Sequence, residues 1–185
     1  MLPSRVFWRG SSTGGHPMKD NWRRMHRLRM MAIAKTRPDL FDVGMTGFIQ
    51  CEQDACDEMR AEIGQVTPTP ENESRKYKYA IDIDGNTFSQ RYLRLLMSGA
   101  LVFKATVFNE FHDDWLVPYK HFIPVQPDLS DLVERIEWAV AHDDHARRIA
   151  ETGRRFVRDH ITSEQMECYI ELALIELADA LGMDK

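Results

Sequence analysis

The sequence predicts an α/β domain, in which a parallel β-sheet is flanked by helices and followed by further helices toward the C-terminus. The main observation is segment 77–103, which has the pattern strand, turn, helix, strand. Apolar residues alternate from Tyr77 to Ile83, as in a strand with one buried face. The run from Ala100 to Phe103 is short and wholly apolar, as expected of a buried strand. Two strands joined through a helix form a parallel unit with a right-handed crossover.

The connection between these two strands predicts a ligand site. Thr87 and Gln90 have the spacing of a capping box, so we expect a helix that begins near Phe88, buries Phe88 and ends at Gly99. This geometry points the turn at Gly85 and the helix N-terminus toward the sheet edge where α/β proteins bind ligands.

Arg91 lies in the first turn of this predicted helix, where the helix dipole disfavours a cation by about 0.3 to 1 kcal/mol. A bound phosphate or diphosphate would remove that conflict, and the guanidinium group suits phosphate oxygens. The alternative is an arginine that turns outward to pair with Asp82 or Asp84, and the pattern does not decide between the two. The same two acids could hold a divalent metal. We favour strand-end acids without a metal, because Arg91 can supply the positive charge.

Ahead of this segment, the pattern predicts a strand at 5–9, a small-residue turn at 10–15, a strand at 41–48 and a short helix at 51–63. A helix is predicted at 21–36, with four core positions and four arginines around the rest. The core positions are Met25, Leu28, Met31 and Ala32, and the arginines are Arg23, Arg24, Arg27 and Arg29. On pattern alone, a solvated face is the favoured interpretation of these arginines. Segment 66–74 is predicted to be a loop, and its Asn72-Glu73-Ser74 triplet is a glycosylation sequon only in a secretory protein.

Beyond the central segment, polar and aromatic residues at 106–115 follow a strand and offer Glu110 and His112 as titratable candidates. A short strand is predicted at 121–124 and three helices within 128–182. The last helix begins with a capping box at Thr162 and Gln165. Its predicted buried residues are Met166, Tyr169, Ile170, Leu174, Leu177 and Leu181.

Length, net charge and cysteine content argue against several classes of function. The chain has 185 residues, the size of one domain, and a net charge of −5, which argues against general nucleic-acid binding. The first 37 residues are basic, which suggests an anionic ligand. Three cysteines without a CxxC pair argue against structural zinc and leave the redox compartment open. We find neither a membrane-spanning run of about 18 apolar residues nor a signal-peptide core.

An ordered series of motifs along nearly the whole chain resembles glycosyltransferase family 90, the capsule-associated-protein glycosyltransferases, which include the protein O-glucosyltransferases. The motifs are WRGS at 8–11, KYKY at 76–79, DG at 84–85, SQR at 89–91, SG at 98–99, PYKHFIP at 118–124 and DLSD at 128–131. The resemblance implies a Rossmann-like sheet that forms the C-terminal, donor-binding half of a two-domain GT-B enzyme. It also implies that the N-terminal domain, with the acceptor site and the catalytic base, is absent from this sequence.

By position, the resemblance implies that a UDP-sugar contacts Ser11, Arg27, Asn86, Thr87, Phe88, Ser89, Gln90 and Arg91. Arg91 is the main charge partner, Arg23 or Arg24 is an alternative to Arg27, and Glu110 is a donor-side candidate. The implied reaction is inverting transfer of glucose or xylose to a protein or glycan acceptor, without metal or cofactor, in the endoplasmic reticulum or Golgi lumen. Cys168 would pair with a cysteine of the N-terminal region. The alternative is a non-catalytic fragment that retains nucleotide-sugar or partner binding.

Overall fold

The computed structural model describes residues 2–183. The strands are β1 (Val6–Ser11), β2 (Phe41–Gly47), β3 (Tyr79–Ile83), β4 (Leu101–Ala105) and β5 (Ile123–Pro124). The α-helices are α1 (His26–Thr36), α2 (Gln53–Ile63), α3 (Tyr92–Ser98), α4 (Leu132–Ala141), α5 (Asp143–His160) and α6 (Ser163–Ala180). None of these helices is long and apolar enough to cross a membrane.

All five strands are parallel, in the order β2-β1-β3-β4-β5, so the predicted α/β class is confirmed. Tyr79, Ile81 and Ile83 share one face and join the larger core, as the alternation predicts. The opposite face of β3 is buried as well, including Asp82, because α3 covers it. A strand inside a parallel sheet is covered on both faces, so burial here exceeds what the alternation indicates.

The predicted helix at 21–36 is divided in two. A 3₁₀ turn at Trp22–Arg24 is followed by Met25 in an extended conformation, and α1 begins at His26. Leu28 and Met31 are buried as predicted, but Ala32 is exposed. The break at Met25 places the N-terminus of α1 beside the ends of β1 and β3.

The predicted capping box at Thr87 and Gln90 does not form. The amide of Gly85 donates a hydrogen bond to the carbonyl of Thr87, so these residues make a turn, and α3 begins only at Tyr92. Phe88, predicted to be buried, is 40% exposed. Gly99 ends α3 with φ 85°, the left-handed conformation that the sequence predicts.

The predicted loop at 66–74 holds for its first part only, because a 3₁₀ helix occupies Glu71–Lys76. The short strand predicted at 121–124 is present as β5. In the next helix, α4, Leu132 and Ile136 are buried, whereas Val140 is 41% exposed.

The third C-terminal helix, α6, has the predicted capping box but not the predicted burial. Thr162 and Gln165 cap each other's main-chain amides. Yet no residue of the 18-residue helix is buried, and the exposed fractions of Leu174 and Leu177 are 60% and 54%. The first half has a tertiary anchor, because Tyr169 packs against Phe111 and Trp115.

A disulfide joins Cys51 to Cys56 and ties the segment after β2 to the first turns of α2. Sequence spacing did not predict it, because the motif has four intervening residues and belongs to no metal or redox pattern. Cys168 is a free thiol on the exposed surface of α6.

Candidate functional site

A crevice of about 530 Å³ opens at the carboxyl edge of the sheet. It is lined mainly by residues 14–15 after β1, 84–86 after β3 and 106–108 after β4, together with Arg24, His26 and Arg29 of the α1 region. Another cavity, of about 450 Å³, lies between α1 and α2 beside the outer strand β2. We take the first as the candidate site, because parallel sheets collect ligand-binding loops at the carboxyl ends of their strands.

Arg27 fixes the shape of the crevice from below. Its side chain is buried, its Nε donates to the carbonyl of Asp84 at 2.7 Å, and its Nη2 donates to the carbonyl of Ile83 at 3.2 Å. Its Nη1 donates to the carbonyl of Ser11 at 3.0 Å and to Oγ1 of Thr13 at 2.6 Å. These four hydrogen bonds join the ends of β1 and β3.

The close approach of Arg27 explains the glycine at position 85. A Cβ atom there would lie 2.9 Å from Nη2 of Arg27 and 3.1 Å from Oγ1 of Thr13, so any larger residue would displace both. Burial, together with the charge of Arg91, lowers the pKa of Arg27 to about 10, against the opposing charges of Asp82 and Asp84. The guanidinium is therefore still charged at neutral pH.

Four further hydrogen bonds hold the lining in place. Nε2 of His26 donates to the carbonyl of Asp84 at 2.7 Å, and the amide of Gly14 donates to Oδ1 of Asn86 at 3.1 Å. The carboxylate of Asp84 accepts hydrogen bonds from Oγ1 of Thr106 at 2.7 Å and from the amide of Val107 at 2.9 Å. The loops after all three central strands are thus bonded to one another around the crevice.

The N-terminus of α1 gives the crevice its electrostatic character. Met25 at the N-cap supplies no side-chain hydrogen bond, and the first turn of α1 contains no acidic residue. His26, Arg27 and Arg29 occupy that turn, so cations lie at the positive end of the dipole. Burial lowers the pKa of His26, which keeps its ring neutral at pH 7. An anion in the crevice would relieve the repulsion that the two arginines experience.

Arg91 is not among the residues that line the crevice. It stands at the N-cap of α3, and its Nη1 donates to the carbonyl of Arg9 at 2.7 Å. It lines a separate cleft of about 170 Å³, with Trp8 and Leu95 among its neighbours. The guanidinium points inward, contrary to the outward-turned alternative, and burial lowers its pKa while the charge of Asp82 opposes that shift.

The structure therefore divides the residues assigned by resemblance. Asn86 lines the crevice, Arg27 lies beneath it, and Ser11 contributes a main-chain carbonyl to Arg27. Thr87, Phe88 and Gln90 are exposed on the turn above, and Ser89 is buried. His26, Arg29 and the Gly14–Gly15 pair are crevice residues that the sequence did not single out, although the small-residue turn and the basic run were visible signals.

A buried group of charged residues lies between the sheet and α3. Asp82 of β3 and Lys104 of β4 are paired in register, and both are buried. Lys104 donates from Nζ to Oδ1 of Asp113 at 2.6 Å, and its Nζ lies 3.9 Å from the ring centre of Tyr92. Burial raises the pKa of Asp82 to about 7, against the opposing charges of Arg91 and Lys104. Within residues 2–183, Oδ1 of Asp82 has no hydrogen-bond partner.

Glu110 and His112, the two titratable candidates, belong to the same group. Nε2 of His112 lies 3.6 Å from Oε1 of Glu110, and its Nδ1 lies 3.3 Å from Oδ1 of Asp113. Burial raises the pKa of Glu110 and lowers that of His112.

The residues do not fit a metal well in either of the two candidate places. Glu110, His112 and Asp113 bring ligand atoms within 4.8 Å of one another, but the Lys104 ammonium already supplies their cation. Both carboxylate oxygens of Asp84 accept hydrogen bonds, and Asp82 is buried. The absence of a metal requirement stays a prediction that these contacts favour.

A parallel sheet whose carboxyl edge carries glycines, an uncapped helix N-terminus and arginines defines an α/β domain suited to a phosphorylated ligand. Its fold is that of GT-B glycosyltransferase domains. The C-terminal domain of a glycosyl transferase group 1 family protein (LpcC) from Francisella tularensis superposes with a TM-score of 0.53 at 13% identity, covering 85% of this chain and 87% of that one. The S. aureus TarM mutant solved in complex with fondaparinux, alpha-GlcNAc-glycerol and UDP gives 0.57 at 13% identity, covering 93% and 36%.

The chain belongs to glycosyl transferase family 90, whose family model matches residues 4–184. It is similar to human Protein O-glucosyltransferase 3, with 30% identity over 176 residues that cover 95% of this chain and 32% of that protein. Human Protein O-glucosyltransferase 1 is 30% identical over 182 residues, which cover 97% and 43%. The matched region therefore spans about a third of the length of the first relative and less than half of the second.

Proposed function

We propose that this chain is the donor-binding domain of a UDP-sugar-dependent glycosyltransferase, with the diphosphate in the crevice at the N-terminus of α1. The observation that carries the proposal is the first turn of α1, which has no cap and no acid but contains Arg27 and Arg29. Glycosyl transfer is the activity of the family, and the relatives' names specify O-glucosyl transfer. Transfer of glucose or xylose to a protein or glycan acceptor is the finer proposal.

The leaving group explains why such a site needs fixed positive charge. In an inverting transfer, negative charge develops on the departing UDP, and prearranged donors at that point stabilise the transition state. Gly14 and Gly15, the N-terminal end of α1 and the side chain of Arg29 surround the crevice. Arg27 adds its charge from below, and Arg91 adds charge from the α3 side, so the proposed chemistry requires no metal.

Calorimetry with UDP on the 185-residue chain tests this proposal. We expect binding that EDTA leaves nearly unchanged, because arginines and helix-end amides supply the positive charge. Arg29→Gln and Arg91→Ala should each weaken binding by about 1.5 to 3 kcal/mol if each guanidinium makes a charged hydrogen bond to UDP. Arg155→Gln is the matched control, since Arg155 lies exposed on α5 beside Glu151.

Three outcomes would contradict parts of the proposal. Unchanged affinity in Arg29→Gln, with normal folding by circular dichroism, would place the anion elsewhere. Unchanged affinity in folded Arg91→Ala would assign that arginine to packing on the α3 side. A large loss of affinity on chelation that manganese restores would favour a metal at Asp82 and Asp84.

The proposed compartment is the secretory lumen. The Cys51–Cys56 disulfide supports it, because disulfides persist in oxidising compartments and are rare in the cytosol. The alternative function, a non-catalytic fragment that retains nucleotide-sugar or partner binding, makes the same prediction for UDP. Turnover in the transfer assay described below would exclude it.

A further inference from the structure

The surface turn between α2 and β3 carries a motif that glycosyl transfer does not use. Asn72-Glu73-Ser74 is the only Asn-X-Ser/Thr triplet in the sequence, and its middle residue is not proline. The triplet lies in the 3₁₀ helix Glu71–Lys76, and the side chain of Asn72 is exposed. An accessible sequon on a surface turn is the usual acceptor for an N-linked glycan.

We propose that Asn72 is N-glycosylated. The donor is an oligosaccharide linked to a polyprenyl diphosphate, which the secretory machinery of the host supplies. Nδ2 of Asn72 forms a bond to the anomeric carbon and loses one proton, while the bond from that carbon to the diphosphate oxygen breaks and the lipid diphosphate leaves. The inference shares with the proposed function only the secretory compartment, not the crevice.

The surroundings of Asn72 have room for a glycan. Asn72 borders a shallow surface depression whose other walls come from α3 and the end of α5, including Leu93, Met97 and Ile161. These three apolar side chains are partly exposed, so a sugar chain above them would cover apolar surface. None of the residues around this depression lines the crevice. A glycan at Asn72 therefore leaves the proposed donor site open.

The disulfide is an independent indication that the chain enters the secretory lumen, where this modification occurs. Cys51 and Cys56 are bonded within the same half of the domain, ahead of the sequon in the chain. Both a stable disulfide and N-glycosylation belong to secretory proteins.

The burial of Ser74 in the folded domain determines when the modification can occur. The sequon requires its hydroxyl group, yet Ser74 is only 3% exposed in the folded domain, whereas Asn72 is accessible. The 3₁₀ helix is packed next to α3, and Ser74 lies at the boundary of that contact. Glycan transfer must therefore precede the packing of this turn onto α3, during or just after translocation.

The site is tested by producing the chain behind a cleavable signal peptide in a eukaryotic host. We expect a mass increase that an N-glycan-specific endoglycosidase removes. Asn72→Gln and Ser74→Ala should each abolish the increase, whereas the matched control Glu73→Gln, which keeps the sequon, should retain it. A wild-type chain of unmodified mass, or a glycan that persists in Asn72→Gln, would overturn the proposal.

Two further measurements test when the glycan is added and whether the glycosylation site is independent of the UDP site. Microsomes present during translation should add the glycan, and microsomes added to the folded chain should not; equal addition in both cases would overturn the role of buried Ser74. UDP calorimetry on Asn72→Gln should give the wild-type affinity. Loss of UDP binding in that variant would contradict the separation of the two sites, whereas failure of UDP binding in every variant would count against the crevice alone.

Discussion

Arg27 is the residue on which the geometry of the crevice depends. Its guanidinium joins carbonyls after β1 and β3, and no shorter or more flexible cation reproduces that planar arrangement of donors. We expect Arg27→Lys to lower the free energy of unfolding by about 2 to 4 kcal/mol, because buried carbonyls lose their partners. Urea denaturation followed by tryptophan fluorescence measures it, with exposed Arg24→Lys as the control. A loss no larger than that of the control would show that water replaces the guanidinium.

Asp82 makes the stability of the domain dependent on pH. Because burial raises its pKa from 3.8 to about 7, the folded state binds a proton that the unfolded state has released between about pH 4 and pH 7. The contribution of Asp82 is therefore fully present below about pH 4 and is lost as the pH rises through about 7. Asp82→Asn removes this loss, so the variant should gain stability relative to wild type on going from pH 5 to pH 8, by at most about 3 kcal/mol.

Thermal denaturation of both proteins across that pH range measures the effect. Asp39→Asn is the control, since Asp39 is exposed and its pairing with Arg37 lowers its pKa. A difference between wild type and Asp82→Asn that stays constant from pH 5 to pH 8 would show that Asp82 keeps one protonation state throughout.

For individual side chains, sequence patterns and the family resemblance predicted different roles. The solvated-face interpretation of the basic run failed for Arg27, because hydrophobic periodicity contains no information on a long side chain that reaches main-chain carbonyls. The resemblance assigns Arg27 and Arg91 to one ligand. In the structure both lie near the same Trp8 ring, but Arg91 lines a cleft separate from the crevice. The pairing of Asp82 with Lys104 depends on strand register, which one strand read alone does not reveal.

Among the elements, α6 departs most from expectation. Its apolar residues have helical spacing, which predicts a buried face, but spacing does not say whether a surface exists to cover that face. The other failures have local causes: the capping-box residues of the central unit are used in a turn, and Met25 interrupts the first helix. Strands were predicted more reliably, because short apolar runs between turns leave few alternatives.

The two halves of α6 should differ in local stability. Tyr169 anchors the first half against Phe111 and Trp115, whereas residues 172–177 have no buried side chain. An isolated helical segment of this length is marginal in water. We expect amides of residues 173–180 to exchange with deuterium at low protection while those of 165–170 and of β3 are protected. Uniform high protection along α6 in a dilute monomer would contradict this expectation.

For the whole molecule, the sequence was sufficient to predict the parallel sheet and the sheet edge at which the candidate crevice opens. It was insufficient for the cavity, because the crevice is made by three loops whose mutual hydrogen bonds depend on the complete fold. A transfer reaction needs both a donor site and an acceptor site. Every crevice residue named above belongs to the donor side of the proposal.

We therefore expect the 185-residue chain to bind UDP but to transfer no sugar on its own. An inverting transfer needs a base within about 3 Å of the acceptor hydroxyl. Glu110 is the local candidate, but it is half-buried beside Lys104 and His112. A radiolabelled UDP-glucose and UDP-xylose assay with EGF-like and glycan acceptors measures transfer. Turnover that Glu110→Gln abolishes would show that this domain contains its own base, and it would exclude the non-catalytic alternative.

The strand order has a consequence for synthesis on the ribosome. β1 is made before every other strand of the sheet, yet it lies between β2 and β3. Its first partner follows soon, but its other edge stays unpaired until Tyr79 and the rest of β3 have emerged. An open apolar edge on a nascent chain is a template for wrong pairing. We therefore expect the nascent chain to need chaperones most while residues 41–79 are being translated, because one edge of β1 stays unpaired until β3 is available.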